Sequence, residues 1–575
     1  MKYFLLLFVA IPFFSTAQLT PFERSGGKES ATYFQAIEFY KKLDKASSKI
    51  LVKQMGPTDA GYPLHLVMVS ADGKFDPVIW HKQKKVVILI NNGIHPGEPD
   101  GIDASMMLAR DISTNKIKIP KNIALAFIPV YNIGGCLNRN STSRANQNGP
   151  LEYGFRGNSQ NLDLNRDFTK CDTKEARSFT QIFHFLDPYI LVDNHVSDGA
   201  DYQHTMTLVT TQYDKLGTGL GEWLKNSFEP LLFEDMKAKG MEMVPYVNAF
   251  ETGDPANGWR QFYDQPRYSS GYAALFQTIG FMPETHMLKP FYDRVRSTYS
   301  LMETMIGKAS YKAAELISVR DKARAQIIKE LLYPLSWRSD TSHHVMITFN
   351  GFQQDKKNSE VTGMSRMYYD RSRPFTKQVP FYDLYSPFDW ITKPRAYIIP
   401  AGWQAVIELL RINNVKMKAL AKDTVIEVEA YHIDQYKSAP QPYEKHHRIS
   451  GIRASRSLQK IRFLKGDVWI NTDQAANRYL VEMLEPNGED SFMAWGFFDA
   501  ILQQKEGYSD YRWEDVAAEM LKNSPLLRDQ LNEKKRTDSS FAGNSSAQLD
   551  FIYKNSPYYE PAHLRYPVYR VPGIH

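Results

Sequence analysis

Short apolar runs alternate with amphipathic stretches through the first half of this 575-residue chain. Residues 85–91, 122–132 and 187–195 are almost continuously apolar and are bounded by turn residues, which predicts strands buried on both faces. Residues 102–112 and 173–186 repeat their apolar side chains at helical spacing. Strands that alternate with helices predict an α/β fold with a layered sheet, and such sheets bind ligands at the carboxyl ends of their strands.

The second half of the chain has a different pattern. A long helical stretch over residues 310–332 ends the alternation, and strand-like segments at 343–352, 396–410 and 423–433 then lie among aromatic-rich loops. We therefore predict a domain boundary near residue 335. Residues 336–575 are expected to form a mixed, β-containing accessory region whose role the sequence does not indicate.

The N-terminus has the pattern of a secretory signal peptide. Lys2 precedes an apolar stretch from Tyr3 to Phe14, and small residues lead to a cleavage position after Ala17. The apolar stretch is shorter than the roughly 20 residues of a membrane-spanning helix. We expect residues 1–17 to be removed from a secreted or periplasmic protein that has no integral membrane segment afterwards.

Charge and cysteine content narrow the possible functions. The formal net charge is only +6, from 70 basic and 64 acidic residues. No basic run is interleaved with aromatic residues, so nucleic acid is not an expected partner. Cys136 and Cys171 are the only cysteines, which argues against a thiolate zinc site. The two could form a disulfide in an oxidising compartment, and two buried free thiols are the alternative.

A histidine and a glutamate follow the first predicted buried strand. His95 and Glu98 lie in the turn HPGEPDG, where Pro96 and Gly97 shape a tight bend. A catalytic zinc ion needs three protein ligands and one open position. His195 ends another predicted strand and would reach the same edge of the sheet. Taken alone, a histidine and a glutamate in a turn are usually polar surface residues, and a histidine at a strand end is more often a hydrogen-bonding residue than a ligand.

Two arginines lie between these candidate ligands. The segment 153–168, YGFRGNSQNLDLNRDF, contains Arg156, Asn165 and Arg166 and has too few apolar positions for a core element. A guanidinium group matches both a substrate carboxylate and a developing oxyanion. Surface salt bridges are the alternative role for these arginines.

Together these motifs resemble the zinc carboxypeptidases of metallopeptidase family M14, of the carboxypeptidase A and carboxypeptidase D type. The resemblance rests on HPGE, LDLNRDF, VDNH and FMPETH in that order, and it covers roughly residues 60–305. It implies an α/β/α sandwich with a mixed, mostly parallel sheet, and a catalytic domain over residues 18–335. It also implies one Zn²⁺ per chain and a peptide or protein C-terminus as substrate.

The resemblance also implies a role for each matching residue. His95, Glu98 and His195 would hold zinc, and Glu284 in FMPETH would be the general base. Arg156 would polarise the scissile carbonyl, while Asn165 and Arg166 would bind the terminal carboxylate. The family's mobile tyrosine falls near Phe262, Tyr263, Tyr268 or Tyr272; Tyr268 is our preference, with a packed loop aromatic as the alternative for each.

Other functions and residues stay open. The same zinc residues would suit a murein-peptide amidase or an N-acyl amino acid deacylase, and a non-catalytic binding protein could use the same scaffold. His286 shares a face with Glu284 and is expected to be a packed histidine, whereas Asp193 could orient His195. The histidine pairs within 343–345 and 445–447 are expected in solvated loops.

Overall fold

The computed structural model describes residues 19–217, 219–249 and 253–573. The predicted signal peptide over residues 1–17 lies outside these ranges. None of the helices in the described part of the chain is both long and apolar enough to cross a bilayer.

The described residues up to 329 form strands and helices in alternation. The strands are β1 Ile50–Pro57, β2 Pro63–Ser70, β3 Val86–Asn91, β4 Ile123–Ile128, β5 Ile190–Asp193, β6 His195–Ser197, β7 Met206–Thr210, β8 Val244–Pro245, β9 Trp259–Arg260 and β10 Ile279–His286. The helices are α1 Pro21–Arg24, α2 Tyr33–Ala46, α3 Pro77–Lys82, α4 Asp100–Ser113, α5 Ile133–Leu137, α6 Lys174–Leu186, α7 Leu220–Trp223, α8 Glu229–Ala238, α9 Ser269–Ala274, α10 Phe291–Tyr311 and α11 Ala313–Lys329.

All of these strands except β9 form one mixed sheet. Its order is β1-β2-β4-β3-β5-β10-β7-β8, and β6 pairs with β10 beyond the end of β5. The central pairs β4–β3, β3–β5 and β5–β10 are parallel, whereas β1–β2, β2–β4 and β10–β7 are antiparallel. The residues of β3 and β4 are all buried, as near-continuous apolar strands require.

The order of the central strands places helices on both faces of the sheet. The chain moves from β3 through α4 to β4 on one side, then returns through α6 to β5 on the other side of β3. Parallel crossovers are right-handed, so two crossovers that run in opposite directions lie on opposite faces. The predicted α/β/α arrangement with a mixed sheet is therefore confirmed.

Several predicted element bounds need correction. The strand predicted over 187–195 begins at Ile190 and is interrupted at Asn194. The helix predicted over 310–332 consists of the end of α10 and all of α11, which are separated at Lys312. Hydrophobic spacing indicates the type of an element better than its ends, because it continues across a single irregular residue.

The rest of the chain adds further strands and helices. Its strands are β11 Leu332–Ser339, β12 Val345–Asn358, β13 Ser365–Tyr382, β14 Tyr385–Thr392, β15 Ala396–Ile399, β16 Lys418–Ala419, β17 Thr424–Ser438, β18 Ile449–Phe463, β19 Val468–Asn471 and β20 Tyr569–Val571. Its helices are α12 Gln404–Ile412, α13 Asn477–Leu484, α14 Asp510–Asn523, α15 Pro525–Thr537, α16 Ser539–Ala542 and α17 Ser545–Lys554. Residues 396–399 alone are strand within the segment 396–410, since α12 follows.

The two halves of the chain share a hydrophobic core. A second sheet, β16-β19-β15-β20-β17-β18, contributes Tyr397 and Ile399 to the same buried cluster as β3 and β4. Strand β9 of the first half pairs with β13 of the second. The boundary near residue 335 falls inside β11 and stays a prediction. Cys136 and Cys171 are buried free thiols.

Candidate metal centre and active site

The turn after β3 brings His95 and Glu98 to the carboxyl edge of the sheet. The Glu98 amide donates a hydrogen bond of 2.8 Å to the His95 carbonyl and closes the turn. A Cβ atom at Gly97 would lie 3.1 Å from the Gly154 carbonyl oxygen and 2.7 Å from the Arg144 side chain. Glycine therefore lets this turn pack closely against the neighbouring loop.

His95, Glu98 and His195 converge on one point. One potential ligand atom from each lies within 4.8 Å of the others, and all three side chains are buried. The Nδ1 atoms of His95 and His195 lie 3.2 and 3.3 Å from the Glu98 carboxylate oxygens. Two imidazole nitrogens and a carboxylate match the ligand preference of Zn²⁺.

Each histidine is held by an aspartate on its other nitrogen. His95 Nε2 lies 2.9 Å from Asp163, and His195 Nε2 lies 3.1 Å from Asp193. Such carboxylate partners fix the tautomer and ring orientation of metal-binding histidines. They leave both Nδ1 atoms facing Glu98, and His95 Nδ1 is buried with no hydrogen-bond partner among the described residues. A metal ion would supply that partner.

Arg144 contacts the same glutamate and was missed by the sequence analysis. Its guanidinium donates to Glu98 Oε1 at 2.9 Å, and the Val196 amide donates to Oε2 at 2.8 Å. Burial alone would raise the pKa of Glu98, but His95 and Arg144 hold it well below its usual range. Arg144 belongs to the polar loop STSRANQNG, where no apolar periodicity indicates what a side chain contacts.

Glu284 lies beside the three candidate ligands. Strands β6 and β10 pair in parallel with Glu284 opposite His195, so the two side chains project from the same face of the sheet. Burial raises the pKa of Glu284 to about 8; His195 opposes this shift, and the Glu98 carboxylate adds to it. A carboxyl group with such a pKa can exchange a proton near neutral pH.

Arg156 reaches towards the same centre. Its Nε and a terminal nitrogen lie 3.0 and 2.8 Å from Asp163, and its other terminal nitrogen is 3.7 Å from Glu98. The side chain is 46% exposed. One edge of the guanidinium is therefore paired with Asp163, and the rest of the side chain faces the cavity.

Asn165 and Arg166 lie on a short 3-10 helix, Leu164–Arg166, that Asp163 caps by accepting the Asn165 amide hydrogen at 2.9 Å. The Asn165 side-chain oxygen is buried without a partner among the described residues. The Arg166 guanidinium lies over the Tyr268 ring, 4.6 Å from its centroid. Arg166 and Tyr268 thus form a stacked cation–aromatic pair.

One cavity of about 550 Å³ collects all eight residues that the sequence indicated. They are His95, Glu98, Arg156, Asn165, Arg166, His195, Tyr268 and Glu284. Tyr246 and Phe262 also line the cavity. Of the other tyrosines considered, Tyr263 binds Glu489 at 2.6 Å and Tyr272 binds Asn413 at 2.7 Å, both away from the cavity lining.

Two predictions about histidines have different outcomes. His286 packs against Tyr202, with ring centroids 4.7 Å apart, and its Nε2 contacts the Ala200 carbonyl at 2.9 Å, so it is the packed histidine that we expected. His446 is not in a solvated loop, because its Nε2 lies 2.7 Å from Asp172. The expectation for residues 445–447 is wrong at this position.

Comparison with known proteins gives a family match over part of the chain. Residues 36–188 match the Peptidase_M14 family model, zinc carboxypeptidase. The matched segment contains His95, Glu98 and Asn165, and it ends before His195 and Glu284. The structure brings these last two residues to the same cavity.

Curated relatives and solved structures are similar at low identity. Carboxypeptidase 2 of Trichophyton rubrum is 19% identical over 492 residues, which cover 82% of this chain and 85% of that protein. Carboxypeptidase 2 of Trichophyton equinum is also 19% identical and covers 84% and 87%. A metallo-carboxypeptidase from Burkholderia cenocepacia is 12% identical, with a TM-score of 0.37, and covers 49% of this chain and 70% of its own. Carboxypeptidase A from Helicoverpa armigera is 13% identical, with a TM-score of 0.34, and covers 53% and 75%.

Proposed function

We propose that the chain is a metallocarboxypeptidase of family M14 that releases the C-terminal residue of peptides or proteins; the match of residues 36–188 to the zinc carboxypeptidase family model supports this proposal. The observation that carries the proposal is the single cavity shared by a potential metal-binding triad, a buried carboxyl group and an arginine pair. A hydrolase that acts at chain ends needs each of these groups within reach of one peptide bond.

His95, Glu98 and His195 would hold one zinc ion per chain. The support is the chemistry of the triad, the buried His95 Nδ1 without a partner, and the two aspartates that orient the histidines. A bound zinc ion would act as a Lewis acid that polarises the peptide carbonyl and acidifies water.

Glu284 would move the proton. It accepts a proton from the attacking water and returns it to the leaving amine, so that the peptide C–N bond breaks with no net change in protonation. Its position opposite His195, in the same cavity as the three candidate ligands, supports this role. Arg156, open to the cavity beside Asp163, would stabilise the negative charge that develops on the carbonyl oxygen.

Asn165 and Arg166 would bind the free carboxylate of the substrate. A guanidinium beside an unpaired amide side chain can receive a carboxylate through several hydrogen bonds. Because only the last residue of a peptide offers such a group, cleavage is confined to the terminal bond. The apolar surfaces of Val209, Phe262 and Met282 in the cavity wall favour an apolar terminal side chain over a charged one.

The decisive experiment measures amino-acid release from peptides that end in L- or D-residues. We expect zinc-loaded wild type to release apolar L-residues, a chelator to stop release, and Glu284→Gln to lose roughly 10²–10⁴-fold in kcat. Glu519→Gln, on an exposed helix, is the matched control. Chelator-insensitive release or full activity of Glu284→Gln would overturn the proposal. Release confined to D-terminated peptides would favour the murein-peptide alternative.

We also propose that the protein is exported and cleaved after Ala17. The support is the signal-like pattern of residues 1–17. N-terminal sequencing of the exported protein should give Gln18 as the first residue. A mature protein that begins at Met1 inside the cell would contradict export.

A further inference from the structure

A hairpin of the second half of the chain reaches the arginine side of the cavity. Strands β17 and β18 pair along their length, and the connection between them folds back over the 3-10 helix that carries Arg166. We call residues Tyr443–His446 the hairpin tip. Tyr443 and His446 exchange two backbone hydrogen bonds of 2.8 and 3.1 Å, so the tip is a tight two-residue turn around Glu444 and Lys445.

The hairpin tip makes direct contacts with the active-site segment. Arg166 Nε donates a hydrogen bond of 3.0 Å to the Tyr443 hydroxyl. The Asp163 amide donates a hydrogen bond of 2.8 Å to the Glu444 carboxylate. Residues almost 280 positions away in sequence thus contact both the candidate carboxylate-binding arginine and the aspartate that orients His95.

The hairpin tip is held firmly in place. His446 pairs with Asp172, and the Tyr443 ring stacks on the buried Trp495 at 6.2 Å between centroids. Glu444 and Lys445 have φ angles of 48° and 77°, a left-handed conformation that is unfavourable for L-residues. Turns of this kind usually place asparagine or glycine at these positions. Strain of this sort persists where the surrounding contacts require it.

We propose that Tyr443 is a positioning residue for Arg166, and that the hairpin tip completes the site for the substrate's terminal carboxylate. This inference rests on the proposed function. Among the described residues, Tyr443 and the Asn165 carbonyl occupy two of the five N–H donors of Arg166. The Tyr268 ring covers one face of the guanidinium. Because these contacts already fix the side chain, the remaining donors can bind a carboxylate with a smaller further loss of side-chain conformational entropy.

This arrangement differs from simple packing between two parts of the chain. If Tyr443 only stabilised the fold, its loss would weaken binding of every ligand equally or lower the melting temperature alone. If it positions Arg166, its loss weakens only ligands that carry a terminal carboxylate. The ratio of affinities for a peptide acid and its amide therefore separates the two roles.

The test uses full-length, zinc-loaded Glu284→Gln, in which turnover is slowed at least about 10²-fold by the proposed mechanism. Calorimetry measures Kd for N-acetyl-Gly-Phe and for its C-terminal amide. Adding Tyr443→Phe keeps the ring on Trp495 and removes only the hydroxyl group. We expect the ratio of the amide Kd to the acid Kd to fall about fivefold, which is the effect of losing one hydrogen bond to a partly exposed charged group. Tyr436→Phe is the matched control, because Tyr436 lies on the same hairpin and is 38% exposed.

The same substitution in the active enzyme should raise KM about fivefold and leave kcat within twofold. An unchanged acid-to-amide ratio of affinities in Tyr443→Phe, or an equal loss of affinity for both ligands, would overturn the positioning role. Peptide release by the wild type would still support the proposed function in that case. A parent protein with no preference for the acid would overturn both.

Discussion

The two ends of the cavity are built differently. The proposed metal end consists of His95, Glu98, His195 and Glu284, and its side chains come from the edge of one sheet. The proposed carboxylate end consists of Asn165, Arg166 and Tyr268, and its arginine donates a hydrogen bond to Tyr443 from the second half of the chain. One cavity therefore combines residues held at the edge of a single sheet with residues that also contact a hairpin distant in sequence.

The energetic demands on the two ends explain this difference. The metal end must hold several charged groups away from water, which is tolerable only when each is paired and hydrogen-bonded. Asp163, Asp193 and Arg144 supply that pairing. Under the proposed function the carboxylate end must admit and release a peptide; Arg166 keeps 21% of its side-chain surface exposed and is held by neighbouring side chains.

Removal of a metal ligand should have the largest effect and should act at the metal end alone. We expect His195→Ala to lose zinc on dialysis and to lower kcat/KM by more than about 10³-fold, since one ligand of three is gone. Elemental analysis gives the zinc content and peptide release gives the rate. Retention of one zinc ion per chain with normal activity would show that His195 is not a ligand.

Loss of the guanidinium should damage only the carboxylate end. We expect Arg166→Gln to raise KM by about 30-fold or more, because a charged hydrogen-bonded pair with the substrate is lost. Its zinc content should equal that of wild type. If Arg166→Gln also lost zinc, the two ends would not be separable as described.

Substitution of the aspartate that contacts a candidate zinc ligand should have an intermediate effect. We expect Asp193→Asn to weaken zinc binding about 10–100-fold, because His195 loses the carboxylate that orients its ring. Competition with a fluorescent zinc chelator measures this change, and Asp529→Asn, at an exposed position of α15, is a suitable control. Equal zinc affinity in Asp193→Asn and wild type would contradict the orienting role.

The smallest effect should come from the anchor of the hairpin tip. We expect His446→Ala to raise KM about twofold to threefold without changing zinc content, because the pair with Asp172 is partly exposed and contributes about 1 kcal/mol or less. His447→Ala, next to it and exposed, should leave KM unchanged. A larger loss in His447→Ala than in His446→Ala would be incompatible with this anchor.

The candidate residues of both ends were named from the sequence, whereas the neighbouring residues that hold them in place were not. His95, Glu98, His195 and Glu284 each stand next to a recognisable apolar strand, so their shared edge follows from the alternation of strands and helices. The resemblance to M14 carboxypeptidases is confirmed by the family match. The roles of these residues stay predictions that the experiments above address.

Neither Tyr443 nor Arg144 was predicted from the sequence, and the reason is physical. Both lie in polar loops, where neither periodicity nor spacing indicates a tertiary contact. The pairing of Tyr443 with Arg166 depends on how the second half of the chain packs against the first, which is a non-local property of the fold. The same dependence on non-local packing explains why His446 was expected in a solvated loop.

The central claim is that both ends of the cavity act on one terminal peptide bond. Mass spectrometry of a peptide incubated with the zinc-loaded enzyme, alongside the same peptide with an amidated C-terminus, tests it most directly. We expect loss of a single residue from the free acid and no cleavage of the amide. Cleavage of both peptides at equal rates, or at internal bonds, would contradict it.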